Sequence, residues 1–221
     1  MSGGAIVIVP VRSFTGGKTR LADAIAPQAR ARLTRRLLDR VLGQIERSGV
    51  AATTLVVSPD PIVLAEVADR GPAVEGVRQP AALPGLNAAV TLGREAAAAR
   101  GADAALTLFA DLPLLTPADL VALAASPDPV TIVPDRHGRG TNGLLLRLDG
   151  PARRFRFAFG PDSADRHAAE ARRLGLDAAI LAIPGISFDL DTPEDWRALL
   201  ATQPGPDWTA ATMVGGCGER R

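Results

Sequence analysis

The chain has 221 residues, of which 47% are hydrophobic and 22% charged, an ordinary globular composition that excludes a mainly disordered chain. The net charge of +1 gives no global basic field of the kind that nucleic-acid-binding proteins carry. The apolar runs are too short to span a bilayer, so we expect no membrane association. With Cys217 as the single cysteine, an internal disulfide is excluded, and we expect a cytoplasmic protein.

Apolar runs and helical periodicities alternate along the first two-thirds of the chain, which predicts a doubly wound α/β fold. Strands are predicted at 5–11, 53–57, 74–77, 104–110, 130–134, 144–148 and 178–183. Helices are predicted at 27–47, 61–70, 86–100, 116–125, 163–174 and 192–200. No linker divides the chain, so we expect one domain, 1–202. Residues 203–221 are rich in Gly, Pro and Thr and predict a flexible C-terminal tail.

Ligands of an open α/β sheet bind beyond the carboxyl ends of its strands, so the residues that follow the strands are candidates. Arg12, Lys18 and Arg20 follow the first strand, and Lys18 is the one lysine among 25 basic residues. Gly17-Lys18-Thr19 is not a P-loop, because Arg12 stands where the pattern requires glycine and the next helix begins only near Pro27. The sequence leaves two interpretations of this segment open: a loop that binds phosphates and a basic loop that is merely solvated.

Carboxylates follow other predicted strands. Asp111 ends the apolar strand at 104–110, where an unpaired charge would be costly to bury. Asp189 and Asp191 alternate around Leu190, which places both on the same side of a strand, although Asp191 is also close enough to cap the last helix. Two carboxylates from separate strands suit Mg²⁺, which takes one or two carboxylates together with substrate phosphates.

Two glycine-containing turns are further candidates. Phe159–Ser163 opens a helix, where free N–H groups bind anions, although Asp162 or Ser163 acting as a plain helix cap explains the pattern equally well. Gly138–Gly143 precedes a strand and is typical of a tight turn. His137 and His167 lack metal-ligand spacing, so surface positions are expected for both. No nucleophile-elbow or zinc pattern is present in the sequence.

Together these segments resemble the CofC/FbiD family of guanylyltransferases of coenzyme F-420 biosynthesis. Lys18–Leu21 (Lys-Thr-Arg-Leu) and Phe159–Ser163 (Phe-Gly-Pro-Asp-Ser) are the more specific motifs. The other matching segments are Pro10–Arg12, Val57–Asp60, Gly85–Ala89, Ala110–Leu114, Gly140–Asn142 and Asp189–Asp195. The resemblance covers about residues 5–200.

The resemblance implies a Rossmann-like nucleotidyltransferase fold of the glycosyltransferase-A type, a single domain with a mixed, mostly parallel sheet. It implies that GMP passes from GTP to the phosphate of a small phosphorylated three-carbon acid, with release of pyrophosphate. The acid is phosphoenolpyruvate in bacterial members, 2-phospho-L-lactate in archaeal members and 3-phospho-D-glycerate in some bacterial ones. The resemblance leaves open whether the protein forms a homodimer.

The resemblance also assigns roles to residues. Lys18, Asp111 and Asp189 are the expected catalytic residues, and the two aspartates are the expected ligands of Mg²⁺, the expected cofactor. The expected nucleotide-binding residues are Pro10, Val11, Arg12, Lys18, Arg20, Pro59 and Asn87. The expected acceptor-binding residues are Thr141, Gly160 and Ser163.

Two departures from the family pattern affect the substrates. Arg12 stands where a lysine is often found, and Arg139 occupies the second place of a Gly-Thr-Gly-Thr turn, where an added cation favours an acceptor with a second anionic group. A nucleotidyltransferase for molybdenum cofactor or a sugar phosphate is the alternative within the same fold. A nucleotide-binding regulator without catalysis is the alternative of another class.

Overall fold

A computed structural model describes residues 4–15, 18–22 and 25–202. Gly16, Gly17 and the predicted tail at 203–221, including Cys217, lie outside these residues. The strands are β1 (Ala5–Pro10), β2 (Ala51–Ser58), β3 (Val74–Arg78), β4 (Ala104–Leu108), β5 (Val130–Pro134), β6 (Thr141–Arg147) and β7 (Ala178–Ile180). The helices are α1 (Pro27–Ser48), α2 (Pro61–Ala68), α3 (Leu86–Ala99), α4 (Pro117–Ala124), α5 (Ser163–Arg173), α6 (Pro184–Ser187) and α7 (Pro193–Thr202).

The strands form one seven-stranded sheet in the order β3-β2-β1-β4-β6-β5-β7. All neighbouring pairs are parallel except those of β6, which runs antiparallel to β4 and to β5. The reversal places the first residues of β6 beside the last residues of β4, as the pairing of Gly143 with Leu108 shows. Residues at the start of β6 therefore lie at the same sheet edge as those that follow the parallel strands.

Alternate residues of each central strand face opposite layers of helices. Val7 and Val9 of β1 pack in a core with α1, α2, α4 and α6, whereas Ile8 packs in a second core with α3 and α5. Both faces of the sheet are thus covered, which is why the strands read as continuous apolar runs in the sequence. None of the helices in the described part of the chain is both long and apolar enough to cross a membrane.

The predicted elements are confirmed within a few residues, apart from the segment around Asp189. A strand was expected there, but α6 and an irregular loop precede α7. The reason is Pro184, which lacks an N–H for a strand ladder and begins a helical turn. Two short 3-10 helices, Thr19–Leu21 and Pro151–Arg154, were also not predicted.

The contact of α3 with the sheet allows no side chain at Gly93. A Cβ there would lie 2.5 Å from Ile8 Cγ2 and 3.2 Å from Val57 Cγ2. We expect Gly93→Ala to lower the free energy of unfolding by about 1–3 kcal/mol, because α3 must move off β1 and β2. Urea denaturation measures the change.

Gly43 is the matched control, because a Cβ at this position in α1 meets only the flexible end of Arg47, at 3.4 Å. We expect Gly43→Ala to be neutral or to raise the free energy of unfolding by up to about 1 kcal/mol through helix propensity. Equal effects of the two substitutions would contradict the described packing of α3.

Candidate active site

Three loops that are distant in sequence meet at one lysine. Lys18 Nζ lies 2.7 Å from Asp111 Oδ2 and 3.0 Å from Asp191 Oδ1, and its side chain is only 6% exposed. Burial would lower the pKa of Lys18, but the charges and hydrogen bonds of the two aspartates outweigh it and raise the pKa above its ordinary value. A buried ammonium ion therefore bridges the loop after β1, the loop after β4 and the loop before α7.

Asp189 is a third carboxylate in the same place. Its Oδ1 accepts a hydrogen bond of 3.1 Å from Nδ2 of Asn142, the second residue of β6. Burial, followed by repulsion from Asp111 and Asp191, raises the pKa of Asp189 above its ordinary value. The site therefore carries more negative charge than Lys18 alone neutralises.

Asp191 does not cap the last helix, the alternative that the sequence left open. Thr192 Oγ1 accepts from the N–H of Asp195, and Asp195 Oδ2 accepts from the N–H groups of Asp191 and Thr192. Thr192 and Asp195 thus form the capping box of α7, which leaves the Asp191 carboxylate for Lys18.

Asp189 and Asp191 border a cleft of about 680 Å³ at this edge of the sheet. Arg20, Arg136 and Arg139 line the same cleft. Arg136 pairs with Asp195, and Arg139 Nε lies 2.8 Å from Asp162 Oδ1 at the exposed rim. Because Asp162 already offsets the charge of Arg139, this arginine does not by itself call for an acceptor with a second anionic group.

Of the three predicted acceptor-binding residues, Gly160 lines this cleft. Thr141 and Ser163 are buried and do not line it, although each directly follows a lining residue, Gly140 and Asp162. Asp162 makes no side-chain cap of α5, so the helix-cap alternative is wrong for this residue. Ser163 is the first residue of α5 and is buried.

A second cavity of about 550 Å³ borders the ends of β1 and β2. Pro10, Val11, Arg12 and Pro59, four of the predicted nucleotide-binding residues, line it together, whereas Arg20 lies in the first cleft. Its walls are mostly apolar, which suits contact with the faces of a planar ring. Five of the seven predicted nucleotide-binding residues thus divide between these two cavities, whereas Lys18 and Asn87 line neither of them.

Asn87 is not among the residues that line the second cavity. Its Oδ1 accepts from the N–H of Phe159 at 2.7 Å, and its Nδ2 donates to the carbonyl of Phe159 at 3.2 Å. Asn87 therefore ties α3, whose Leu86 lines the second cavity, to the segment that leads to Gly160 in the first.

Sequence reasoning missed Gln79 and Phe109, which also line the second cavity. Both follow strands, β3 and β4, so the strand-end rule could have found them. Gln79 Nε2 donates to the carbonyls of Leu83 and Gly85 at 2.6 and 2.9 Å, which fixes the loop that forms one wall.

The carboxylates fit Mg²⁺ in donor type and in charge. Asp111 and Asp189 offer oxygen ligands. Burial is the main cause of the raised pKa of Asp189, and repulsion from Asp111 and Asp191 adds to it, so a cation beside these carboxylates would be favourable. Within the described ranges, no group of three or more His, Cys, Asp or Glu side chains is arranged to hold a metal alone.

We expect Asp189→Asn to raise the Tm by about 2–4 °C at neutral pH in the absence of divalent cation and nucleotide. A shift of this size corresponds to roughly 1 kcal/mol of stability in a chain of this length. The amide keeps the acceptor for Asn142 and removes a charge that the site repels. Asp191→Asn is the matched control and should lower the Tm, because it breaks an ion pair of Lys18. Equal losses in both variants would contradict the described electrostatics.

Solved structures of nucleotidyltransferases have similar folds. A putative nucleotide-diphospho-sugar transferase from Desulfovibrio desulfuricans G20 matches with a TM-score of 0.73 and 20% identity, over 91% of this chain and 88% of that one. A nucleotidyl transferase from Methanothermobacter thermautotrophicus matches with a TM-score of 0.62 and 18% identity, over 90% and 99%. The predicted nucleotidyltransferase fold is confirmed.

Curated relatives are more similar in sequence. A phosphoenolpyruvate guanylyltransferase of Sphaerobacter thermophilus is 41% identical over 90% of this chain and 94% of its own length. A protein of the same name from Rubrobacter xylanophilus is 43% identical over 88% and 93%. A family profile described as "Guanylyl transferase CofC like" matches residues 5–205. The chain belongs to this guanylyltransferase family.

Proposed function

We propose that this chain transfers GMP from GTP to the phosphate of phosphoenolpyruvate, giving enolpyruvyl-diphospho-5'-guanosine and pyrophosphate. The relatives that match nearly the whole chain carry the name of this activity. The observation that carries the proposal is the position of the carboxylates. Asp111 follows Phe109 of the apolar cavity by two residues, and Asp189 and Asp191 line the arginine-bearing cleft.

The two cavities suit the two substrates. The apolar cavity bordered by Pro10, Pro59 and Phe109 accepts the guanosine, with Arg12 at its wall close to the triphosphate. The cleft with Arg20 and Gly160 accepts the phosphorylated acid. Arg20 lines this cleft, where its guanidinium can contact a phosphate or carboxylate.

The chemistry needs charge neutralisation more than a strong base. A phosphate monoester is mostly ionised at pH 7, so its oxygen attacks the α-phosphorus of GTP without first losing a proton to the protein. The bond between the α-phosphorus and the bridging oxygen breaks, and pyrophosphate leaves. Arg12 in the apolar cavity and Arg20 in the cleft place positive charge near these anions, while Lys18 holds Asp111 and Asp191 in place.

Asp111 and Asp189 would hold Mg²⁺, which neutralises phosphate charge and aligns the attacking and leaving oxygens when bound. Lys18 keeps Asp111 and Asp191 at a fixed separation through its two ion pairs. The ordered carboxylates are then ready before substrate arrives, which lowers the cost of assembling the site.

Pyrophosphate release tests the proposed reaction. Purified protein with Mg²⁺ is given GTP, ATP or CTP as donor, and phosphoenolpyruvate, 2-phospho-L-lactate or 3-phospho-D-glycerate as acceptor. We expect the highest kcat/KM with GTP and phosphoenolpyruvate. Turnover only with another acceptor would overturn the substrate assignment, and GTP binding without turnover of any acceptor would support the regulator alternative.

Asp111→Asn tests the carboxylate centre. We expect kcat to fall at least about 100-fold, because one metal ligand is lost, while the circular dichroism spectrum stays unchanged. Asp39→Asn is the control, since Asp39 pairs with Arg70 at the surface, away from both cavities, and should leave turnover unchanged. Wild-type turnover of folded Asp111→Asn protein would refute the role of Asp111.

A further inference from the structure

His167, which was expected at the surface, is buried beside Thr141, one of the predicted acceptor-binding residues. His167 lies on α5, has no exposed surface, and packs against aromatic rings. Its ring centroid is 4.6 Å from that of Phe159, in an edge-on arrangement, and 5.7 Å from that of Phe155. The surface expectation for His167 is wrong, because a single residue shows no periodicity that would place it on the inner face of a helix.

Both ring nitrogens of His167 have partners, and the partners determine where the proton lies. The backbone N–H of Ala158 donates to Nε2 at 3.0 Å, so Nε2 carries no proton. Nδ1 lies 3.0 Å from Thr141 Oγ1. In the neutral ring the proton must then be on Nδ1, and the Thr141 hydroxyl oxygen is the acceptor.

The ring is neutral at physiological pH. Burial, followed by the nearby charge of Arg166, lowers the pKa of His167 to about 4, and only Glu170 acts in the opposite direction. A protonated ring would also bring an Nε2 proton against the N–H of Ala158. The neutral Nδ1–H tautomer is therefore the form that the packing selects.

This tautomer leaves the Thr141 hydroxyl with an unused proton. His167 is its one hydrogen-bond partner among the residues that the structure describes, and it supplies a donor. Thr141 is only 3% exposed, so the unused proton is poorly hydrated and favours an incoming anionic oxygen. With the opposite tautomer, the hydroxyl would donate its proton to the ring and would have only lone pairs left for any further partner.

The ring of His167 also contacts the backbone segment that leads to Gly160. Ala158 precedes Phe159 and Gly160, and Gly160 lines the cleft. His167 anchors this segment through the Ala158 N–H, and Asn87 anchors it through both backbone groups of Phe159. The His167 side chain thus links Thr141, the first residue of β6, to the segment that contains Gly160.

We propose that His167 is a positioning residue for the acceptor: it orients the Thr141 hydroxyl as a donor to the carboxylate or phosphate of the phosphorylated acid. The inference rests on the proposed function for the identity of the acceptor. The position of the ring proton is a property of the free protein and is independent of the proposed function.

Two substitutions separate the two hydrogen bonds of the ring. His167→Gln can keep an acceptor for Ala158 but gives Thr141 no donor in the position of Nδ1. His167→Asn can keep a donor to Thr141. We expect His167→Gln to raise the KM for phosphoenolpyruvate about tenfold, the value of one hydrogen bond to a charged group, with kcat and the KM for GTP unchanged. His167→Asn should restore most of the KM.

A double-mutant cycle shows whether His167 acts through the hydroxyl. Thr141→Val removes the hydroxyl with little change in shape and should also raise the KM for phosphoenolpyruvate about tenfold or more. In the Thr141→Val background, His167→Gln should cause no further rise. Additive effects, or an equal rise in the KM for GTP, would overturn the proposal in favour of a general structural role.

The ring-nitrogen NMR signals of ¹⁵N-histidine-labelled protein provide a readout that needs neither turnover nor a variant. The chain has two histidines, and His137→Asn assigns the signals. We expect a protonated Nδ1 and an unprotonated Nε2 for His167 at neutral pH. A proton on Nε2 overturns the inference about His167. If wild-type protein does not turn over GTP and phosphoenolpyruvate, the proposed function is overturned instead.

Discussion

The site depends on one buried ammonium ion among carboxylates. Lys18 is 93 residues from Asp111 and 173 from Asp191 in sequence, yet it contacts both. Its backbone has a φ of 58°, a left-handed conformation that costs a non-glycine residue about 1–3 kcal/mol. Leu21 and Leu190, which lie close to the bridge in sequence, pack in one buried apolar cluster with α1 and α7. Apolar packing thus brings the loops together, and the ion pairs fix the charged groups.

The sheet topology explains why so many polar groups converge on this bridge. Parallel strands direct their carboxyl ends to one edge, which accounts for Arg12, Pro59 and Asp111. The antiparallel β6 adds its own beginning to that edge, which brings Asn142 against Asp189 and Thr141 against His167. One edge therefore holds an apolar cavity, a carboxylate centre and an arginine-bearing cleft, the arrangement that joins a nucleotide to a second anion.

Much of this arrangement could be predicted from the sequence, because strand ends and glycine turns are local features. Asp111 and Gly160 were found in this way, and the structure places Asp111 against Lys18 and Gly160 in the lining of the cleft. The partners of Lys18 could not be predicted, because an ion pair between distant loops leaves no local pattern. The same holds for His167, whose burial depends on the packing of α5. The strand expected around Asp189 does not form, because Pro184 diverts the chain into a helical turn.

The central claim is that the carboxylate centre joins the phosphate of the acceptor to the α-phosphorus of GTP. Phosphoenolpyruvate carrying ¹⁸O in its phosphate, incubated with GTP, Mg²⁺ and the protein, tests this claim when the products are analysed by mass spectrometry. The account predicts that all the label stays in the guanylylated acid and that the pyrophosphate is unlabelled. Label in the pyrophosphate, or unlabelled GMP formed beside unchanged phosphoenolpyruvate, would contradict it.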